Sequence, residues 1–272
     1  MTDLDQPANE EIDVSQPHPA RMYDFYLQGK DYYEVDKAAA ARVQTVYPSI
    51  MITARVNRQF MHRATRWLAA EAGIRQFLDI GTGIPTRPNL HQVAQEAAPE
   101  SHVVYADYDP IVLRHAEALM RSTPEGRTAY IQADVRDPET ILSADRLHET
   151  LDLTRPVALS LNALLHFVPD ENHPYDIVQR LVGAIPSGSY LALSHVTADF
   201  APELWEKVAE VYRRGGIPSQ VRSRDEVLKF FDGLELVDPG LTVPHRWRPD
   251  GQSVEGATDE AVSIYAAVAR KP

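Results

Sequence analysis

The spacing of apolar and polar residues changes character about a quarter of the way along this 272-residue chain. Before Gly73, apolar residues recur at helical spacing: Val56, Phe60, Ala64, Trp67 and Leu68 form one stripe, with Asn57, Arg58 and Arg66 off it. After Gly73, short apolar runs of strand length alternate with helix-like stretches. IRQFLDI (74–80), HVVYADY (102–108), TAYIQAD (128–134), PVALSLNALLHFV (156–168) and SYLALSHV (189–196) read as strands. Helices are expected from about Pro88 to Ala97, from Pro110 to Met120, around Asp145 to Leu151 and around Asp176 to Ala184. Two more are expected near 201–214 and at 224–231, the second opened by Ser223 with Glu226 three residues on, the pattern of a capping box. This alternation is the rhythm of a parallel sheet with helices on both faces.

The last stretch breaks the rhythm. LELVDPGLTV and AVSIYAAVA are two strand-like segments separated by a polar loop that holds Trp247, Pro249 and Gly251, with no helix between them. Strands without a crossover helix pair most simply as antiparallel neighbours, so the expectation is six strands running one way and a seventh reversed at the edge. The fold class is therefore α/β, with a Rossmann-like, seven-stranded, mostly parallel sheet. Ahead of that domain (73–272) lies a helical extension (19–72), in which ARMYDFYLQGKDYYEVDKAAAA carries four tyrosines and a Gly-Lys-Asp turn between two helix-like segments. Residues 1–18, rich in Asp, Glu, Asn, Gln and Pro, have too few apolar groups to offset the entropy of ordering and read as a flexible acidic tail.

Composition narrows the function. With 27 basic against 39 acidic residues the formal charge is -12, which argues against a protein that grips a phosphate backbone. Cysteine is absent, so there is no disulfide framework, thiolate zinc site or cysteine nucleophile, and a reducing cytoplasm is the default compartment. No apolar run reaches membrane-spanning length, and no His or carboxylate pair has the HExxH spacing of a zinc site. Neither a membrane, nor nucleic acid, nor a metal is expected as a partner.

The sharpest chemical signal is Leu78-Asp79-Ile80-Gly81-Thr82-Gly83, a strand ending in glycines directly before a helix. Glycines there let the backbone turn sharply and approach a ligand. A GxG turn also serves nicotinamide and flavin enzymes. Here, however, Thr86 after Pro85 replaces the third small residue of the dinucleotide fingerprint, and Asp79 would repel a diphosphate while suiting a cationic ligand. In Val104-Tyr105-Ala106-Asp107-Tyr108-Asp109-Pro110, Asp107 is placed to accept both hydroxyls of a ribose and Tyr108 to lie along an adenine, while Asp109 suits capping of the helix that Pro110 opens. The third strand ends Ala133-Asp134-Val135, where a carboxylate and the next backbone N–H can read the adenine edge; a plain turn aspartate is the alternative.

The series LDIGTG, VVYADYDP, YIQADVRDP and LSLNALLHFV resembles the successive cofactor motifs of class I S-adenosylmethionine-dependent methyltransferases. Nearly everything after residue 19, including ARMYDFYLQGKDYYEVD, NRQF, IRQFLDIGTGIPT and FFDGLELVDPG, is similar to a bacterial family of S-adenosyl methyltransferases. Members of that family tend to read Gly-Gly-Lys-Asp-Asn where this chain has Gln28-Gly29-Lys30-Asp31-Tyr32. The resemblance implies S-adenosylmethionine laid across the strand ends, with Gly81 and Gly83 under its methionine and ribose. It further implies Asp107 on the ribose, Asp134 and Val135 on the adenine, and Asn162 facing the reactive end. A sulfonium is positive, which agrees with acidic strand ends. In-line transfer then depends mainly on alignment, which provides on the order of 7 kcal/mol or more.

His166 and His195 are the histidines nearest the expected active mouth and are the candidate bases toward an oxygen or nitrogen acceptor, each with a purely structural role as its alternative. Tyr23, Tyr26, Lys30 and Tyr33 are placed either to form a lid over the acceptor, as such segments do in related enzymes, or to pack as ordinary amphipathic helices. The leading reading is a methyltransferase for a small-molecule O or N acceptor. A nicotinamide-dependent oxidoreductase and a non-catalytic sensor that binds S-adenosylmethionine are the alternatives. Oligomeric state is not legible.

Overall fold

The computed structural model describes residues 13–112 and 121–272. Seven strands form one sheet: β1 (Gln76–Ile80), β2 (His102–Asp107), β3 (Arg127–Gln132), β4 (Ala158–Asn162), β5 (Tyr190–Val196), β6 (Glu235–Leu236) and β7 (Ile264–Arg270). Their order is β3-β2-β1-β4-β5-β7-β6. β1 to β5 are parallel, and β7 runs antiparallel to both β5 and β6.

The reversal was expected; its place was not. β7 does not lie at the edge but between β5 and β6, and Ile264 to Ala269 are buried throughout, with Tyr265, Ala267 and Ala269 in the core on one face and Ala266 and Val268 in the core on the other. The edge goes to β6, which shrinks to two exposed residues, and Pro239 in the expected strand 234–243 cannot donate to a ladder. Of the rest of that segment, Thr242 forms a single bridge to Ala266. The expected strand 156–168 stops at Asn162, since Ala163 turns to φ +52° and Leu165–Phe167 form a 3-10 turn.

Alternation along the strands sorts side chains onto two faces. Leu78, Ile80, Leu159, Leu161, Leu191 and Leu193 build one core, covered by the helix Pro174–Gly183. Phe77, Val103, Tyr105, Ala158 and Val268 build the other, covered by Phe60, Ala64 and Leu68 of a 21-residue helix, Ile50–Ala70 (α3 below). The loop expected to be merely polar is anchored here. Trp247 is fully buried against Phe60, and Arg63 donates to the carbonyl oxygens of Trp247 (3.0 Å) and Pro244 (2.5 Å). The capping box at Ser223 and Glu226 is present, followed by helix Arg224–Leu228 and a 3-10 turn to Phe231. The expected helix 110–120 starts at Pro110, with Asp109 Oδ1 accepting from the Ile111 N–H (2.9 Å), and its continuation, 113–120, lies outside the described residues. Among the described residues no helix is long and apolar enough to cross a membrane.

The N-terminal extension folds as α1 (Pro19–Tyr26) and α2 (Glu34–Val46), which with α3 pack against helix Pro202–Arg214 around Tyr26, Val43, Tyr47, Trp205, Val208 and Tyr212. Residues 1–12 of the expected tail lie outside the described residues; His18, at its other end, caps α1. One buried guanidinium ties the extension to the sheet: Arg21 sits 3.5 Å from Asp36 and 3.4 Å from Asp109, at the end of β2. Gln28 takes the left-handed conformation (φ +64°) at a position where the similar family tends to have glycine. The next residue has to be glycine for a different reason. A Cβ on Gly29 would lie 1.9 Å from Asp24 Oδ1, and that carboxylate accepts the Asp31 N–H (2.8 Å) to close the turn.

Gly29→Ala is therefore expected to displace Asp24 and open the turn, costing about 2 kcal/mol and lowering Tm by several degrees. Thermal unfolding of the variant checks this; an unchanged Tm would mean that the turn accommodates the methyl.

Candidate functional site

A cavity of about 270 Å³ opens at the C-terminal ends of β1 to β4 and runs under α1 and α3 toward helix Pro202–Arg214. Its floor is the β1 turn. Gly81 (φ +72°) and Gly83 (φ +67°) both adopt the left-handed conformation, which costs an L-residue about 1–2 kcal/mol. The Gly81 N–H donates to Ala106 O (2.8 Å) and the Gly83 N–H to Asp107 Oδ2 (2.8 Å), so the turn is fastened to β2. The space left by the missing side chain of Gly81 belongs to Leu164, whose Cδ1 would lie 2.6 Å from a Cβ. Gly81 thus serves the protein's own packing as well as the turn.

Two carboxylates border this turn. Asp107 accepts from the Gly83 N–H through Oδ2 and from the Asp109 N–H through Oδ1 (3.0 Å), the Tyr108 N–H also favours its anion, and its four acceptor positions leave capacity for a further donor. Burial nevertheless raises its pKa to about 6, against the backbone bonds that favour the anion. Burial also raises Asp79 to about 6, opposed by the Ser160 hydroxyl, Arg58 and Thr82. Arg58 is largely committed elsewhere: its guanidinium donates to the carbonyls of Thr86 and Pro88. At the outer rim, burial pushes the Asp134 carboxyl up, but a bidentate pairing with Arg136 (2.5 and 3.0 Å) more than offsets it and the pKa falls. Val135 lines the cavity beside it. Tyr108 is half exposed and stands 4.6 Å from the His18 ring, which sequence reasoning passed over and which also lines the cavity.

At the inner end, Asn162 donates from Nδ2 to Ser160 Oγ (2.7 Å) and leaves Oδ1 buried without a partner among the described residues. The turn after it is held by Ser194, whose Oγ accepts the Ala163 N–H (2.9 Å) and donates to Asn57 Oδ1 (2.6 Å). Asn57 Nδ2 in turn donates to the Tyr23 hydroxyl (3.0 Å), which donates to Ala54 O (3.0 Å). Asn57 and Arg58 were visible as polar residues off the apolar stripe of α3, but their partners lie far away in sequence.

The two candidate bases part ways. His166 lines the cavity, and burial, with His195 and Arg222 nearby, lowers its pKa well below the imidazole range, so it is neutral. His195 is wholly buried and is not among the lining residues. Its Nδ1–H donates to Val196 O (2.7 Å), and its Nε2 accepts from Arg222 (2.8 Å). Both nitrogens are occupied and burial drives the pKa to about 3, so His195 presents no free basic atom to the cavity. Of the four candidate lid residues, Tyr23 and Tyr26 line the cavity. Lys30 is exposed and Tyr33, 40% exposed, lies beside the Arg21 guanidinium; neither reaches the cavity, because the turn at Gly29 swings them away from it. Among the described residues no group of three or more His, Asp or Glu side chains is placed to hold a metal ion.

The family model described as "S-adenosyl methyltransferase" matches residues 5–272. A DUF574-family protein from Streptomyces avermitilis is 53% identical, with 96% of this chain and 100% of that one covered and a TM-score of 0.94. A protein from Thermobifida fusca, described as a candidate methyltransferase, is 38% identical over 96% of this chain and 97% of its own, with a TM-score of 0.85. A S-adenosylmethionine-dependent methyltransferase from Anabaena variabilis, 16% identical over 75% of this chain and 80% of its own, shares the fold at a TM-score of 0.50. No curated protein matches the sequence.

Ionising Asp79 inside the ligand-free protein costs stability at neutral pH. Its folded pKa of about 6 lies above the ordinary 3.8. Between about pH 4 and 6 the folded chain holds a proton that the unfolded chain has released, so this group's contribution falls as pH rises through that window. Asp79→Asn is expected to raise Tm at pH 7.5 by several degrees, on the order of 1–3 kcal/mol, and to lose that advantage at pH 4. Scanning calorimetry at both pH values decides; a variant no more stable than the parent at pH 7.5 contradicts the burial account.

Proposed function

Because the chain belongs to the S-adenosyl methyltransferase family, we propose that this cavity is where its S-adenosylmethionine sits and that the methyl group passes to a small-molecule oxygen or nitrogen acceptor. Membership in that family sets aside the nicotinamide alternative. The observation that carries the placement is the pair of buried carboxylates, Asp79 and Asp107, flanking a glycine turn whose nearby arginines are engaged with other groups. Such a crevice suits a positively charged nucleoside and disfavours a phosphate.

Asp107 accepts the ribose hydroxyls on its free lone pairs while its bonded ones hold the turn in shape. Gly81 and Gly83 form the floor beneath the ribose and methionine. Asp134, the Val135 N–H and Tyr108 enclose the adenine, with Arg136 keeping the Asp134 carboxylate ionised. Asn162 presents a carbonyl oxygen with no competing partner, and Asp79 adds negative charge behind it; both favour a cationic centre at the inner end. When bound, S-adenosylmethionine supplies the sulfonium methyl that an acceptor displaces in line. His166, neutral and on the cavity wall, accepts a hydrogen bond from the acceptor's O–H or N–H and receives that proton as the methyl group is transferred, and the Tyr23–Asn57–Ser194 relay holds the lid and the β4 turn in one geometry.

Calorimetry with S-adenosylhomocysteine tests this directly. Asp107→Ala is expected to weaken binding by roughly a hundredfold, the loss of two charge-assisted hydrogen bonds, and an unchanged Kd rejects the assignment. For the parent protein, affinity is expected to fall roughly tenfold from pH 7 to pH 5, because protonation of a carboxylate with pKa near 6 competes with the hydroxyl donors. A Kd flat across that range contradicts the role given to ionised Asp107.

A further inference from the structure

The cavity lining divides by charge in a way that bears on the acceptor. Its ionised lining residues, Arg58, Asp79, Asp107, Asp134 and Arg136, come from α3 and the ends of β1 to β3. The lining supplied by α1, by the segments after β4 and β5 and by the start of β7 contains no Asp, Glu, Lys or Arg. Instead it presents Tyr26, Phe167, Val196, Trp205, Tyr212 and Ile217. Phe167 and Tyr212 meet edge to face at 5.7 Å, and Trp205 packs on Tyr47 at 5.2 Å, so the walls are fixed aromatic surfaces.

The polar atoms here are uncharged. The hydroxyls of Tyr26 and Tyr212 are 3.4 Å apart, a long contact that leaves each with unused capacity, and burial holds both as neutral phenols. His166 is neutral as well.

We infer that the acceptor is an uncharged, flat aromatic molecule bearing a hydroxyl group, clasped by the aromatic walls with its hydroxyl among the Tyr26, Tyr212 and His166 polar atoms. Held against these walls, a carboxylate, phosphate or ammonium group would shed water and meet no charged side chain on them, a penalty of several kcal/mol per ion in a protein interior. A protonated amine would also lack the lone pair that a methyl acceptor needs. The inference rests on the methyltransferase reading of the cavity and narrows its O or N acceptor to a neutral oxygen.

Three probes of the same shape separate the possibilities: 2-naphthol, 2-naphthoate and 2-naphthylmethylammonium. Each is titrated by calorimetry into the full chain saturated with S-adenosylhomocysteine at neutral pH. The expected result is binding of 2-naphthol at least thirtyfold tighter than either ion. Ile217→Lys, which places a cation in the wall outside the cofactor half, is expected to lose at least tenfold for 2-naphthol and to gain for 2-naphthoate, with S-adenosylhomocysteine affinity unchanged as the control for folding. Should Ile217→Lys fail that control, the parent's ranking of the three probes stands as the test by itself. Equal or tighter binding of either ion by the parent, or binding of none of the three, overturns the inference. Failure of S-adenosylhomocysteine itself to bind would instead strike the proposed function, so the two outcomes are told apart.

Discussion

Keeping carboxylates out of water at the ends of neighbouring parallel strands is the constraint around which the rest of the molecule is arranged. Asp79 and Asp107 lie at the C-terminal ends of adjacent strands, β1 and β2, both buried, with apolar residues and the Ser160 hydroxyl around them. A buried carboxylate is tolerated where fixed donors face it, and the chain provides them from the glycine turn and from the backbone after β2. Gly81 and Gly83 follow from this. Only a turn that goes left-handed twice brings the Gly83 N–H back onto Asp107 while leaving room for Leu164. The donors do not fully offset burial, as the raised pKa values show, and that residual imbalance is what a cationic, hydroxyl-bearing ligand is suited to relieve.

The N-terminal extension completes the cavity rather than decorating it. Arg21 anchors α1 between Asp36 and Asp109, two residues beyond Asp107, so the helix that roofs the cavity is tied to the same strand end that forms its floor. Tyr23 and Asn57 carry the connection across to Ser194 and the turn after Asn162. The roof, the floor and the inner wall are therefore one hydrogen-bonded unit. The second half of the enclosure comes from helix Pro202–Arg214, packed on α2 through Trp205 and Tyr47. The segments that vary most freely in such an architecture, those outside the sheet, are the ones that shape this aromatic part of the cavity.

Much of this was legible in one dimension because it depends on local rules. The five parallel strands announce themselves as apolar runs, four of them with an Asp or Asn at or near the end, the α3 stripe has helical spacing, and the Ser223–Glu226 box is a four-residue pattern. What escaped depends on distant partners. No local feature shows that β7 slips between β5 and β6, that Trp247 leaves a polar loop to fill the space beside Phe60, or that Arg222 occupies both the interior beside His195 and the carbonyls of Leu165 and Val168. His195 and Lys30 looked suitable by position along the chain. The direction of a strand residue's side chain and the swing of one turn set them aside. His18 lay in a stretch whose composition signalled only a tail.

A crystal structure of the full chain with S-adenosylhomocysteine tests the central claim most directly. The account predicts the ribose hydroxyls within hydrogen-bond reach of Asp107, the sulfur turned toward Asn162 and the adenine between Tyr108 and Val135. Density for the nucleoside anywhere else, or a crevice that stays filled by Leu164 and the protein's own side chains at saturating ligand, would contradict it.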